Sequence, residues 1–169
     1  MSFAIQGMKK LLLILSLFMT LSANAQVALV GRTPMGWGFD RARQSIVREF
    51  GEPTRVHHER LIYSKGCTFH GVNYDRAEFK FDDGLFNEAI FRCYVADKQS
   101  AQQLMDSVAA KMSSTFNLSK DKEDAGRWFY KGGKSPLKVG YLFTIYTYPH
   151  RGSYVTELRY GPVKFKKED

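Results

Sequence analysis

The strongest periodicities along the chain are two amphipathic helical stripes, each followed by runs that alternate in the manner of β-strands. Ala42, Ile46, Val47 and Phe50 recur on one side of a helical wheel while Arg41, Gln44 and Arg48 fall elsewhere, which predicts a helix over Arg41–Phe50 packed through one face. Asp40 is the candidate N-cap, Gly51 can take the left-handed conformation that ends a helix, and Pro53 prevents continuation. A second, longer stripe is made by Leu104, Met105, Val108, Met112 and Phe116 with Ala101 and Ala109, and predicts a helix over Ala101–Phe116. Ser100 and Gln103 open it at capping-box spacing. Its two methionines read as ordinary core filler.

Between the helices lie strand signals at Arg60–Ser64, Thr68–Asn73, Ala77–Phe81 and Asn87–Val95. In the third, Ala77, Phe79 and Phe81 alternate with Glu78 and Lys80, the pattern of a half-buried strand. The fourth places Ala89, Phe91, Cys93 and Val95 on one face and Ile90, Arg92 and Tyr94 on the other, and Asp82-Asp83-Gly84 supplies a hairpin turn between the two. A polar linker over Asn117–Gly126 precedes three further strands, Arg127–Lys131, Val139–Tyr148 and Tyr154–Tyr160, the last two joined through Pro149-His150-Arg151-Gly152. The pattern predicts an α+β fold: an antiparallel β-sheet with two main helices packed on one face.

The N-terminus changes the picture of where this domain works. Met8, Lys9 and Lys10 lead into the apolar run Leu11–Leu21 and then Ala23-Asn24-Ala25, the layout of a secretory signal peptide over residues 1–25. The run is too short to span a bilayer, and Gln26 stands where a lipoprotein would carry its cysteine. An exported chain, periplasmic or extracellular, is therefore expected to begin at Gln26, with Met8 an alternative initiator to Met1 and residues 26–169 forming one soluble domain. Loss of Lys9 and Lys10 lowers the formal net charge from +8 to +6. The basic excess is dispersed; Lys164, Lys166 and Lys167 form its one cluster and read as a short, flexible, solvated tail, the alternative being weak attraction to anionic polymers or lipid head groups. Nucleic acid is excluded as a partner by the compartment and by the lack of a recognition motif.

Candidate chemistry is sparse. In an oxidising compartment Cys67 and Cys93 are expected to form a disulfide, although simple meander order would leave their strands one strand apart, roughly twice the ~4.8 Å spacing. The bond then requires Cys67 to lie in the loop around Gly66 or a different strand order; two buried free thiols are the alternative. His57, His58, Cys67 and His70 contain a Cys-x-x-His spacing that zinc tolerates, but no second close pair, so no metal is expected. Gly132-Gly133-Lys134-Ser135-Pro136 ends like a phosphate-binding loop, yet the pattern's first glycine would fall on Trp128 and Pro136 leads into a strand. A flexible loop and no cofactor follow. Asp82 and Asp83 are accounted for by their turn, and no serine lies in a nucleophile elbow, so no catalytic residue is assigned. The surface candidate is the aromatic strand. If Tyr141, Phe143 and Ile145 are its core side, Tyr146 and Tyr148 are left exposed for binding, with His150 and Arg151 at the rim. A strand covered on both faces is the alternative.

The order Gly38-Phe39-Asp40-x-Ala42, a short helix, Phe50-Gly51-Glu52-Pro53 and then β-hairpins resembles small secreted bacterial envelope proteins of unassigned activity. It is distantly similar to the small lipoproteins of outer-membrane assembly and to β-lactamase-inhibitor-like modules. The likeness covers Gly36–Val95 and implies protein binding, with no catalytic residues to transfer; the lipid-anchored cysteine of the lipoproteins is absent. The resulting expectation is a non-catalytic binding or envelope-accessory protein that recognises a protein or an envelope polymer. The alternatives are a periplasmic inhibitor or immunity protein against a toxin or hydrolase, and a small hydrolase.

Overall fold

The computed structural model describes residues 27–137 and 139–166. The signal segment and its cleavage point lie outside the described residues, as does Lys167. Among the described residues no helix is long and apolar enough to cross a membrane.

The chain is α+β and mostly antiparallel sheet. Three short strands come first, β1 (Leu29–Val30) paired with β2 (Thr33–Pro34) and, after helix α1 (Phe39–Phe50), β3 (Arg55–Val56). Strand β4 (Arg60–Tyr63) is followed by the hairpin β5 (Cys67–Phe69) and β6 (Val72–Tyr74), then by β7 (Arg76–Asp82) and β8 (Leu85–Val95). Helix α2 (Lys98–Met112) leads to β9 (Leu118–Lys122), β10 (Trp128–Lys134), β11 (Tyr141–His150) and β12 (Ser153–Tyr160). Eight of these strands make one sheet in the order β3-β4-β7-β8-β12-β11-β10-β9, so the two halves of the chain join where β8 pairs with β12.

Turn chemistry explains the local geometry. Asp83 (φ 53°) and Gly84 (φ 77°) close the β7–β8 hairpin with two left-handed residues, the conformation Asp-Gly favours. Helix α1 begins after Gly38, with no side-chain cap, so Asp40 sits inside the first turn, where its charge suits the N-terminal dipole. In α2 the cap is Asp97, whose carboxylate accepts from the Ser100 amide at 2.8 Å; Ser100 is the third helical residue and not the cap. The predicted strand Thr68–Asn73 is two strands, because His70 (φ 48°) and Gly71 (φ 69°) turn the chain back, and the resulting hairpin stands apart from the main sheet. The polar linker contains β9, an edge strand. Its lysines and aspartate carry no apolar signal and discourage pairing with another chain.

One set of alternating strand residues, including Ala77, Phe79, Phe91, Phe143, Ile145 and Tyr160, forms a single buried cluster with Ala42 and Ile46 of α1 and Met105, Val108 and Met112 of α2. Phe91 is its hub, stacked on Phe69 at 4.4 Å and edge-on to Phe79 at 5.7 Å. Burying each such ring contributes about 1.5–3 kcal/mol. The C-terminal segment is more anchored than a solvated tail: Val163 is buried and Phe165 packs against the same cluster, while Lys164 and Lys166 face solvent.

Candidate functional site

The residues that alternate away from this cluster build a different surface. Sheet register sets Glu157 of β12 between Arg92 of β8 and Tyr146 of β11, and sets Glu78 of β7 opposite Ile90 of β8. All four acceptor positions of the fully buried Glu157 are filled. Oε1 accepts from Tyr146 Oη at 2.5 Å and Arg159 Nε at 2.7 Å, and Oε2 from Arg92 Nε at 2.7 Å and Tyr148 Oη at 2.9 Å. Glu78 accepts from Arg76 Nε at 2.9 Å and Arg92 Nη1 at 2.8 Å, with Arg60 at 3.8 Å. Glu88 pairs with Lys80 at 2.6 Å and Arg159 at 3.6 Å.

Charge is thereby layered. The side chains of Glu157, Glu78 and Glu88 are 0%, 7% and 8% exposed, whereas those of Arg60, Arg76 and Arg159 are 47%, 37% and 32% exposed. A partner approaching this face meets guanidinium groups, with the carboxylates beneath them. Burial alone would raise the Glu157 carboxyl, but the Tyr146 and Arg92 hydrogen bonds and the nearby arginine charges outweigh it and hold it below the usual carboxylate range. Glu78 is lowered in the same way, its burial outweighed by Arg92 and Arg76. Burial and then the hydrogen bond to Glu157 push the Tyr146 phenol up, so it remains a donor.

At the end of this face, beside the β11–β12 turn, a cavity of about 370 Å³ is lined by Arg76, Glu78, Arg92, Tyr94, Tyr148, His150 and Arg151. Three of the four binding residues expected from sequence, Tyr148, His150 and Arg151, meet there; Tyr146 stands one pair further along β11, its ring 5.7 Å from that of Tyr148. The expected exposure holds only in part. Phe143 and Ile145 are core, but Tyr141 is 48% exposed, while Tyr146 and Tyr148 are half-buried with their hydroxyls turned onto Glu157. The unforeseen members are Arg76, Glu78, Arg92 and Arg159. Their one signal is the period-2 polar side of β7, β8 and β12.

Replacing Tyr146 and Tyr148 together with Phe should therefore lower stability by about 1–3 kcal/mol, because a buried carboxylate loses two donors while ring packing is kept. Urea unfolding of the double variant checks this; an unchanged midpoint would show that the hydroxyls are dispensable.

Other candidates are placed as follows. Cys67 and Cys93 are free thiols, in place of the expected disulfide, and Cys93 Sγ donates to Asn73 O at 3.3 Å, turned toward β6. Burial pushes Cys67 up to about 11 and Cys93 up to about 12, so both stay protonated and weakly nucleophilic. His57 and His58 are exposed neighbours, whereas His70 is half-buried and 3.2 Å from Tyr160 Oη, its pKa lowered by burial. Among the described residues no group of three or more His, Cys, Asp or Glu could hold a metal. Gly132 and Gly133 belong to β10, where a Cβ on Gly132 would come within 2.8 Å of Phe143, so these glycines serve close packing and not a flexible loop.

No family model, curated protein or solved structure matches the chain significantly.

Proposed function

We propose that the chain is an exported, non-catalytic binding protein that recognises an acidic protein surface with the arginine-topped face of its sheet, both helices being packed on the other face. The layering of charge carries this reading. Three carboxylates spend their acceptor capacity inward, orienting Arg60, Arg76, Arg92 and Arg159 across a strand-built surface. Pre-oriented arginines suit recognition of carboxylates, because less freedom is lost when the complex forms. The acids that a hydrolase would need as proton donors are instead held ionised by their partners.

The contiguous charged face also supports the inhibitor or immunity reading, in which the acidic partner is a toxin or hydrolase. Loss of the captured partner's activity on binding separates that role from an accessory one. In the main test, the chain starting at Gln26 is immobilised and challenged with envelope extract. An acidic protein should be retained at low salt, released at high salt, and retained several-fold less by an Arg60→Gln/Lys80→Gln variant. Capture indifferent to salt and to these charges would overturn the reading, and retention of a polysaccharide in place of a protein would overturn the choice of partner.

A further inference from the structure

We infer that the cavity at the β11–β12 turn is a phosphomonoester-binding site, in which Arg76, Arg92 and Arg151 hold the phosphate oxygens beside the Tyr94 and Tyr148 rings. The inference goes beyond the binding reading above and assigns one end of the same face a ligand chemistry of its own. Among the charged lining residues, three arginines face one carboxylate, Glu78. With the buried Glu157 that pairs with Arg92 at 2.7 Å counted as well, the excess is one positive charge, the sign that a phosphomonoester near neutral pH requires. The cavity, about 370 Å³, has room for the phosphate and part of the group that carries it.

Two of the arginines are held before any ligand arrives. Arg92 is fixed by Glu157 at 2.7 Å and Glu78 at 2.8 Å, and Arg76 by Glu78 at 2.9 Å through its Nε. The third is placed at a conformational cost. Arg151 (φ 46°) and Gly152 (φ 81°) form the two-residue turn, and the first position of such a turn favours Asn, Asp or Gly. The Arg151 side chain is exposed and has no hydrogen-bond or ion-pair partner among the described residues. A long cation held left-handed, beside two clamped arginines and without a partner of its own, is accounted for by an anion that all three share.

Titration of the exported chain with inorganic phosphate, at ionic strength kept constant with chloride, tests the site through the amide resonances of Arg151 and Gly152. Saturable shifts are expected. Arg151→Asn should keep the fold and suit the turn better, yet weaken phosphate binding about tenfold; Arg76→Gln, which also removes a partner of Glu78, should weaken phosphate binding to a similar degree in the folded variant. Arg60→Gln/Lys80→Gln should leave phosphate binding within about twofold, since neither residue lines the cavity. Sedimentation with phosphatidic acid vesicles, but not phosphatidylcholine vesicles, competed by phosphate, would identify a lipid head group as the source. Phosphate binding without vesicle binding would identify a soluble phosphomonoester. Equal shifts with chloride alone, or full affinity in a folded Arg151→Asn variant, overturn the site. Failure of phosphate to bind while acidic-protein capture stays salt-sensitive removes this site alone; phosphate binding with salt-insensitive capture removes the wider face alone.

Discussion

An Arg92→Met variant should lose about 3–5 kcal/mol of unfolding free energy at neutral pH, because one cation that spans two buried carboxylates is removed. Arg92 reaches Glu157 at 2.7 Å and Glu78 at 2.8 Å, and the side chains of those two acids are 0% and 7% exposed. Methionine retains most of the aliphatic stem, so the loss reports charge more than packing. Arg159 still holds Glu157 and Arg76 still holds Glu78, which keeps the cost within the stated range. The pH dependence follows from the direction of the shifts. Both carboxyls lie below their usual range in the folded chain, so the stability they confer is present above the unfolded value of about 4.3 and is lost as pH falls through the lower folded value. Without Arg92 that depression shrinks. The gap between variant and wild type should therefore be widest near neutrality and narrow in acid, as read from urea unfolding across pH. A gap independent of pH would show that the missing charge is not the cause. Adding Glu157→Gln to Arg92→Met should recover part of the loss.

Much of the scaffold was legible because burial on one side imposes a period. Ala77, Phe79 and Phe81 against Glu78 and Lys80 identified β7 and its faces, and Asp82-Asp83-Gly84 identified its turn; both stand in the fold. Elements without a buried side were invisible for the same reason: β9 is an exposed edge strand, and β3 is two exposed residues. The N-cap of α2 lies three residues before the Ser100 that the sequence suggests, because Asp97 and Ser100 both suit a helix start, and only backbone geometry decides between them.

The candidate site was legible in parts that could not be joined. The sequence marks His150 and Arg151 as the rim of an aromatic strand and Arg92 as a polar position on β8, and pairing of β8 with β12 brings them together across more than fifty residues of sequence. The pattern does not reveal the aromatic face, because a tyrosine is apolar in body and polar at its tip. Tyr146 and Tyr148 spend their hydroxyls on a buried acid whose position no local pattern reveals, while Tyr141, near the end of the sheet, is left open to solvent.

Met112→Asp and Val108→Asp should each cost more than about 4–5 kcal/mol, a large share of the 5–15 kcal/mol that usually holds a domain together, while Ser107→Asp should stay within about 0.5 kcal/mol. Met112 and Val108 are 0% and 1% exposed and belong to the cluster shared with β8, β11 and β12, whereas Ser107 is exposed. A carboxylate at either buried position has no cation to meet and must either ionise in an apolar site or take up a proton, and both are costly. The smaller side chain also leaves a cavity in the cluster, which adds to the cost. At Ser107 the new charge stays hydrated, and only a small helix-propensity difference remains. Thermal melts and urea unfolding of the three variants read the contrast directly. Comparable losses in all three would mean that α2 does not cover the sheet with this face.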